Sequence, residues 1–295
     1  MTDRYAVIGN PISHSKSPEI HTMFAEQFKG KPAGDMVYRD RVLAPLDGFA
    51  ETIERLRKEG YKGCNVTVPF KFEAYQLAKI YHKNVLATQA ANTLKFEGDL
   101  VIGENTDGIG LVRDITDNFN ITLRHKRVLL VGAGGAAWGV ALTLLQAGAN
   151  LDVVNRTDNK ARELTNKLED SFGLWVLFQR KLNAMFGLKY GIPTFVSGFT
   201  QLAGKQFDIV INATSTGLSD EMPPLPPGIF AHGALAYDMM YGRETPFMKF
   251  AREHGAAVVS DGLGMLVEQA AESFFLWRGV RPDTAPVIAA LRKQQ

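Results

Sequence analysis

Short runs of apolar and β-branched residues alternate along the chain with longer amphipathic segments, and glycine, proline or asparagine closes most of the runs. Such runs predict buried strands, whereas apolar positions three and four residues apart predict helices. Strands are predicted at Tyr5–Gly9, Lys126–Val131, Leu151–Asn155, Phe207–Asn212 and Ala236–Tyr241, and helices at Ile20–Phe28, Leu46–Lys58 and Ala285–Leu291. Strands that alternate with helices are typical of α/β folds, and 295 residues suffice for two domains.

A β-branched run, Asn65–Pro69, ends in Val-Pro, and Phe70 and Lys71 lead into an apolar-periodic segment. This pattern predicts a strand that delivers its last residues into the start of a helix, so that both elements hold the backbone of Lys71. A cation at a helix N-terminus is mildly unfavourable. Lys71 is therefore either a solvated lysine on a first helical turn or a residue with a partner elsewhere in the chain.

Polar residues stand beside two further apolar runs. Asn92 follows Ala90-Ala91, and Asp107 follows the run that contains Ile102. Asn, Asp and Thr are common in plain turns. If the strands run parallel, however, their ends line one crevice, and Lys71, Asn92 and Asp107 would lie together.

The loop after the first predicted strand is rich in serine and leads into a helix. Ser17 is predicted to be the N-cap of this helix, with Pro18 at its first position. Ser15 places a hydroxyl beside the helix N-terminus, which makes it a natural contact for a polyol or a carboxylate.

The predicted strand Lys126–Val131 runs into the glycine-rich turn Gly132–Ala136, and a helix follows. This context predicts a dinucleotide site, with the pyrophosphate at the helix N-terminus. The next strand ends in Asn155-Arg156-Thr157, where NAD enzymes usually place an acidic residue for the ribose 2′-hydroxyl. A guanidinium group there matches a 2′-phosphate and favours NADP. The alternative is a helix N-cap at Thr157 among ordinary surface cations.

Near the C-terminus, Ser260–Gly264 brings glycines to the start of a helix and suggests a close approach of the backbone to a flat ligand. Gln269 falls on an early turn of this helix. The pattern leaves two interpretations of Gln269 open, a polar surface residue or a ligand contact.

Composition narrows the classes of function. A net charge of +2 gives no basic field, so the sequence does not predict a nucleic-acid partner. No apolar run approaches the roughly 20 residues of a membrane helix, and the N-terminus lacks a signal-peptide pattern. The single cysteine, Cys64, excludes an internal disulfide and is predicted to be a packing residue. We expect a cytoplasmic protein with a small-molecule partner and no metal site.

Several motifs of this chain, in their order, resemble those of the shikimate dehydrogenases. The resemblance extends along nearly the whole chain. The motifs are Gly9–Pro18, Asn65–Lys71, Ala91–Thr93, Asn105–Gly108, Gly132–Ala136, Asn155–Thr157, Tyr237–Met239 and Asp261–Leu266.

The resemblance implies reversible NADPH-dependent reduction of 3-dehydroshikimate to shikimate, on the route to chorismate and the aromatic amino acids. It implies that Lys71 and Asp107 form the catalytic pair. The residues implied to bind substrate are Ser15, Ser17, Thr67, Asn92, Asp107, Tyr241 and Gln269. The residues implied to bind NADP are Gly132, Ala133, Gly134, Gly135, Ala136, Asn155, Arg156, Thr157, Met239 and Gly262.

The fold implied by the resemblance has two α/β domains. Residues 1–107 and 263–295 would form the substrate domain, which the C-terminal helices complete. Residues 108–262 would form a Rossmann-like NADP-binding domain. The chain would act as a monomer or a homodimer.

The chemistry supports this assignment independently. Hydride delivery to a ketone leaves an alkoxide that needs a proton, and the reverse reaction needs a base. One lysine serves both directions if burial and a carboxylate shift its pKa from about 10.4 toward neutrality, or if they hold its proton in place.

Two alternatives stay open. One is a quinate or dual quinate/shikimate dehydrogenase that uses NAD or NADP. The other is a non-catalytic ligand sensor, although a sensor needs neither Lys71 nor Asp107. Three features depart from the family pattern, namely Ala137-Trp138, Lys83 and the apolar stretch Phe172–Phe186, for which packing or an interface is the default prediction.

Overall fold

The computed structural model describes residues 2–81, 85, 88–157, 159–168, 194–195, 198–214 and 221–294. Lys83 and the stretch Phe172–Phe186 lie outside the described residues. The chain divides into two compact units. Unit 1 comprises Met1–Gly110 with Leu266–Gln294, and unit 2 comprises Leu111–Met265.

Strands and helices alternate as the sequence predicts. The described strands are β1 (Asp3–Gly9), β2 (Met36–Leu43), β3 (Tyr61–Val66), β4 (Ile80–Tyr81), β5 (Thr93–Glu97), β6 (Leu100–Glu104), β7 (Arg127–Val131), β8 (Asn150–Val154), β9 (Thr194–Phe195), β10 (Phe207–Asn212), β11 (Phe230–Asp238) and β12 (Val258–Ser260). The helices with both ends described are α1 (Ser17–Gln27), α2 (Phe49–Lys58), α3 (Lys71–Leu77), α4 (Asp107–Arg113), α5 (Gly135–Gln146), α6 (Pro246–Glu253), α7 (Leu263–Arg278) and α8 (Ala285–Arg292). Residues 159–168 are also helical.

Unit 1 contains a mixed sheet in the order β2-β1-β3-β5-β6-β4. Strands β1, β2 and β3 are parallel, whereas β5 runs antiparallel to both β3 and β6. Its core packs Ile8, Leu56, Phe70 and Leu94, each at most 1% exposed. Cys64 belongs to the same core, where burial raises the pKa of its thiol, so its predicted packing role is confirmed.

Unit 2 contains a parallel sheet in the order β12-β11-β10-β7-β8-β9. The strand order reverses between β7 and β10. In open α/β sheets such a switch point opens a crevice beyond the carboxyl ends of the strands, where dinucleotides bind. The predicted α/β fold and its Rossmann-like part are therefore confirmed.

Among the predicted element boundaries that differ from the structure, three concern predicted site residues. Ser17 is the first residue of α1 rather than its N-cap, which is Lys16, and Ser15 Oγ accepts the Ser17 N–H at 3.3 Å. β3 ends at Val66, because Thr67 already begins a turn that brings its carbonyl to the Phe70 N–H. β11 ends at Asp238, where the Asp238 carboxylate accepts the Met240 N–H at 3.0 Å and the chain turns. Tyr241 therefore lies beyond the strand.

Two absences concern the described residues alone. Among them, no helix combines the length and the apolar character that a membrane crossing requires. They also contain no group of three or more His, Cys, Asp or Glu side chains that could hold a metal ion.

Candidate active site

Lys71 is the first residue of α3, and its backbone is held from two sides. Its carbonyl accepts the Ala91 N–H at 2.9 Å. The preceding turn is tied to the first strand of the sheet, since Thr67 N–H donates to the Ile8 carbonyl at 2.9 Å. Phe70, fully buried, anchors the end of this turn in the core of unit 1. The predicted junction between a strand and a helix is present, with a short turn between them.

The side chain of Lys71 has an ionic partner. Nζ donates to Asp107 Oδ2 at 2.6 Å, and Asn92 Nδ2 donates to Asp107 Oδ1 at 2.7 Å. The Lys71 side chain is 27% exposed and that of Asp107 is 12% exposed. The pair is thus partly shielded from water but still accessible to a ligand. This geometry contradicts the interpretation of Lys71 as a merely solvated lysine.

Lys71, Asn92 and Asp107 do meet, but the condition on which the sequence predicted this, that their strands run parallel, is wrong. Asn92 precedes β5, whereas Lys71 follows β3 and Asp107 follows β6. Because β5 runs antiparallel to both neighbours, its start lies beside their ends. A parallel β5 would have placed Asn92 at the opposite edge of the sheet.

Hydrogen-bond donors around Asn92 fix which way its side-chain amide points. Its Oδ1 accepts the Thr106 N–H at 2.9 Å, and a backbone N–H can only donate. The Nδ2 atom must therefore face Asp107. Gln269, on α7, completes the cluster, since its Oε1 lies 3.4 Å from Asn92 Nδ2 and accepts from Thr106 Oγ1 at 3.2 Å. Gln269 is 9% exposed, so it is not the plain surface residue that the pattern allowed.

The predicted serine and threonine contacts lie beyond β1 and β3 in unit 1. Ser15 Oγ and Ser17 Oγ are 3.3 Å apart, and Arg41 Nε donates to the Ser15 carbonyl at 2.9 Å. Thr67 packs on Gly9 so closely that a Cβ at Gly9 would lie 2.6 Å from Thr67 Cγ2. These residues carry hydroxyl groups on rigid backbone, which suits the recognition of a polyol.

In unit 2 a cavity of 450 Å³ opens at the switch point of the sheet. It is lined by the glycine turn and the end of the next strand. Eight of the ten predicted cofactor residues line it, namely Gly132, Ala133, Gly134, Gly135, Ala136, Asn155, Arg156 and Thr157. Lys160, a cation that the sequence places close behind Arg156, lines it as well. Thr214, Met222 and Pro223 also line it, and the sequence pattern did not single them out as ligand contacts.

The glycines of this turn have distinct roles. Gly132 has φ +112°, and a Cβ there would lie 3.1 Å from the backbone of Ala213, which directly follows β10. Glycine at this position therefore allows both the tight turn and the close contact with the end of β10. A Cβ at Gly134 or Gly135 would meet nothing within 4 Å. The turn at the start of α5 therefore leaves room for a ligand beside its backbone, as a phosphate site requires.

The other two predicted cofactor residues, Met239 and Gly262, lie together at the carboxyl edge of the same sheet. A Cβ at Gly262 would lie 2.4 Å from the Met239 carbonyl oxygen, so only glycine fits. Neither residue is among those that line the cavity. Tyr241, the remaining predicted substrate residue, is half-buried in unit 2, two residues after Met239.

A second cavity, of 620 Å³, lies in unit 1 between α1 and β2. It is lined by residues such as His21, Lys29 and Arg39, and by none of the predicted site residues. We therefore assign the chemistry to the Lys71 cluster and the 450 Å³ cavity, because charge pairs and an open glycine turn specify a site better than volume does.

Glu104 gives the stability of unit 1 a pH dependence. Burial raises the pKa of its carboxyl from 4.5 to about 7, although the Asn105 N–H, 2.8 Å from Oε1, opposes the shift. The folded state thus keeps a proton that the unfolded chain has lost. The stabilisation by neutral Glu104 is complete below about pH 4.5 and is lost as the pH rises through about 7.

Glu104→Gln stays neutral at every pH. Relative to the native chain, the free energy of unfolding of this variant should therefore rise by about 1–3 kcal/mol between about pH 4 and about pH 8. Urea denaturation at both pH values measures this difference. Parallel pH dependences of the two proteins would contradict it.

Known proteins resemble this chain along its whole length. Residues 7–94 match the family described as shikimate dehydrogenase substrate binding domain. Residues 113–182 match shikimate / quinate 5-dehydrogenase, and residues 262–292 match the shikimate 5'-dehydrogenase C-terminal domain. A shikimate dehydrogenase (NADP(+)) from Methylobacillus flagellatus is 53% identical over 98% of this chain and 99% of the relative.

Solved structures agree with the sequence relatives. An Ael1 enzyme from Pseudomonas putida is 45% identical, with a TM-score of 0.84 over 98% of both chains. Shikimate 5-dehydrogenase from Thermus thermophilus, in complex with NADP(H) and shikimate, is 29% identical, with a TM-score of 0.79 over 99% of this chain and 100% of the other.

Proposed function

The chain belongs to the shikimate dehydrogenase family, and on this premise we propose that it catalyses the reversible NADPH-dependent reduction of 3-dehydroshikimate to shikimate. The observation that carries the proposal is the Lys71–Asp107 pair, held at 2.6 Å with Asn92 on the second carboxylate oxygen. A reduction of a ketone needs one proton at the developing alkoxide, and this pair offers an ammonium group for it.

Lys71 is proposed as the general acid and base. In the direction of reduction, a proton moves from Nζ to the alkoxide oxygen, and the C–O⁻ group becomes the hydroxyl of shikimate. In the reverse direction, neutral Nζ accepts the hydroxyl proton. The side chain is partly exposed, so its proton exchanges with solvent between turnovers. Asp107 holds the ammonium group in place through Oδ2.

Substrate recognition is proposed for residues of the same hydroxyl- and amide-rich cluster. Asn92 and Thr67, which lie just outside strands of unit 1, and Asp107 and Gln269, which lie on helices, present donors and acceptors to a ligand. Ser15 and Ser17 add a pair of hydroxyl groups after β1. Tyr241 is proposed as a further substrate contact. Residues 1–107 with 263–295 are accordingly proposed as the substrate domain.

The residues of the 450 Å³ cavity fit NADP. Bound NADPH supplies the hydride for the reaction. The open turn Gly132–Ala136 would hold the pyrophosphate on the N-terminus of α5. Asn155, Arg156 and Thr157 would hold the adenosine ribose with its 2′-phosphate, and Met239 and Gly262 would complete the site. Residues 108–262 are therefore proposed as the NADP-binding domain.

The protein is proposed to be a monomer or a homodimer in the cytoplasm. The single, buried Cys64 supports a reducing compartment, since no internal disulfide is required for stability.

Spectrophotometry of NADP⁺ reduction with shikimate tests the function. We expect turnover with shikimate and NADP⁺, much less turnover with NAD⁺, and much less with quinate. Comparable turnover with quinate would instead indicate a dual quinate/shikimate dehydrogenase. Binding of shikimate without reduction of NADP⁺ would indicate a ligand sensor.

Arg156 is expected to select the cofactor. Arg156→Ala should raise KM for NADP⁺ by about 10–100-fold, because hydrogen bonds to a charged phosphate contribute about 1.5–3 kcal/mol. KM for NAD⁺ should stay nearly unchanged, because NAD⁺ lacks the 2′-phosphate. Arg162→Ala is the matched control, since Arg162 is exposed on the following helix and does not line the cavity. Equal changes for both cofactors would contradict a role in selection.

A further inference from the structure

Asn65 lies at the centre of a buried polar network in unit 1, and the network reaches the proposed active site. Asn65 is 5% exposed. Its Oδ1 accepts from Tyr38 OH at 2.8 Å and faces His21 Nε2 at 3.2 Å. Burial lowers the pKa of His21 to about 3, so the ring is neutral and places its one proton on Nε2, toward Asn65. The Asn92 carbonyl, which can only accept, lies 3.4 Å from Asn65 Nδ2 and fixes which way the Asn65 amide points, so Tyr38 OH and His21 Nε2 both donate to its Oδ1.

The two protons of Asn65 Nδ2 are directed at two hydroxyl groups. One is Thr93 Oγ1, at 3.1 Å, and the other is Ser273 Oγ, at 3.0 Å. Thr93 and Ser273 have no exposed surface, and their oxygens are 2.8 Å apart. A hydroxyl that accepts from Asn65 has its own proton available for a different acceptor.

Each hydroxyl has such an acceptor on a proposed substrate residue. Thr93 Oγ1 donates to Asn92 Oδ1 at 3.0 Å, whereas the single proton of Ser273 Oγ is shared between Thr93 Oγ1 at 2.8 Å and the Gln269 carbonyl at 3.1 Å. The network therefore divides at Asn65 into two branches. One branch aligns the amide that holds Asp107, and the other fixes the turn of α7 that presents Gln269.

We propose that Thr93 and Ser273 are positioning residues of the reaction, which set the orientations of Asn92 and Gln269 from the buried side of the site. The proposal rests on the proposed function. Both hydroxyls are fully buried, so they act through the residues that they hold. The two branches predict different kinetic effects, because Asn92 contacts the catalytic pair and Gln269 does not.

Thr93→Val keeps the shape of the side chain and removes the donor to Asn92. We expect kcat to fall by about 10–100-fold, because small misplacements of catalytic groups have effects of this order. KM for NADP⁺ should not change. Thr93→Ser, which retains the hydroxyl, should restore kcat to within about threefold of the native value.

Ser273→Ala should act mainly on KM for shikimate, which we expect to rise by about 2–10-fold, the equivalent of one net hydrogen bond. Thr52→Val is the control for both variants. Thr52 is a buried threonine of unit 1 whose hydroxyl donates to the Gly48 carbonyl at 2.7 Å, outside the network. Native kinetics in Thr52→Val would show that loss of a buried hydroxyl in this unit is not sufficient for the effect.

Native kinetics in Thr93→Val would overturn the proposal. So would losses in Thr52→Val equal to those in Thr93→Val, because the role would then be structural. Failure of the native protein to reduce NADP⁺ would instead refute the proposed function. In that case hydrogen exchange of the Asn92 side-chain amide, followed by NMR, decides the positioning role: faster exchange in Thr93→Val supports it, and unchanged exchange overturns it.

Discussion

Lys71→Met is expected to lower kcat by about 10²–10⁴-fold, the range over which general acid and base groups contribute to catalysis. Methionine approximates the length and the apolar stem of lysine but carries no proton for the alkoxide. It leaves Asp107 with its bond from Asn92 Nδ2, so the cluster keeps most of its geometry. Lys71 is not among the residues that line the cofactor cavity, so the affinity for NADP⁺ should not change.

Steady-state kinetics in both directions measure this effect, and calorimetric titration measures NADP⁺ binding. Lys62→Met provides a matched control, because Lys62 is an exposed lysine on β3, nine positions earlier. Turnover of Lys71→Met within a few-fold of the native value would refute the acid and base role. An equal loss in Lys62→Met would show that the substitution acts through the fold.

Asp107→Asn is expected to lower kcat by about 10²-fold. The variant keeps the size of the side chain but removes the negative charge that holds Nζ of Lys71, and hydrogen bonds to charged groups are worth about 1.5–3 kcal/mol each. Two such bonds reach this carboxylate, one from Lys71 and one from Asn92. The free ammonium group would then adopt orientations that do not face the substrate.

A double-mutant cycle separates this role from general damage. If Asp107 acts through Lys71, the double variant Lys71→Met with Asp107→Asn should be little slower than Lys71→Met alone. Additive losses would instead assign Asp107 an independent role in substrate binding. Asp47→Asn serves as the control, since Asp47 is exposed in the loop before α2.

The local parts of the site could be predicted from the sequence. The glycine turn and Arg156 follow consecutive strands, so their chain positions alone place them at one edge of a parallel sheet. Lys71 was likewise predicted at the start of a helix, and α3 begins there. Hydrophobic periodicity reports such features because strands and helices form from contiguous residues.

The direction in which strands pair was harder to predict than their positions along the chain. The sequence contains the apolar run of β5 but not the sense in which it pairs, and its antiparallel pairing decides that Asn92 lies beside Lys71. The N-cap of α1 was misplaced by one residue for a related reason. Ser15 and Ser17 have the same capping chemistry, and only the geometry of the loop shows that the Ser15 hydroxyl reaches the first N–H.

By itself, the sequence determined an α/β protein with a nucleotide-binding turn, a cation that favours NADP and a lysine at a junction between a strand and a helix. The tertiary structure alone decided what that lysine contacts. Asp107 lies 36 positions from Lys71, and Ser273 lies 208 positions from Asn65, yet both pairs are in hydrogen-bonding contact. The physical reason is that a hydrogen bond depends on distances of about 3 Å between atoms, whereas periodicity along a chain carries information only about neighbours within an element.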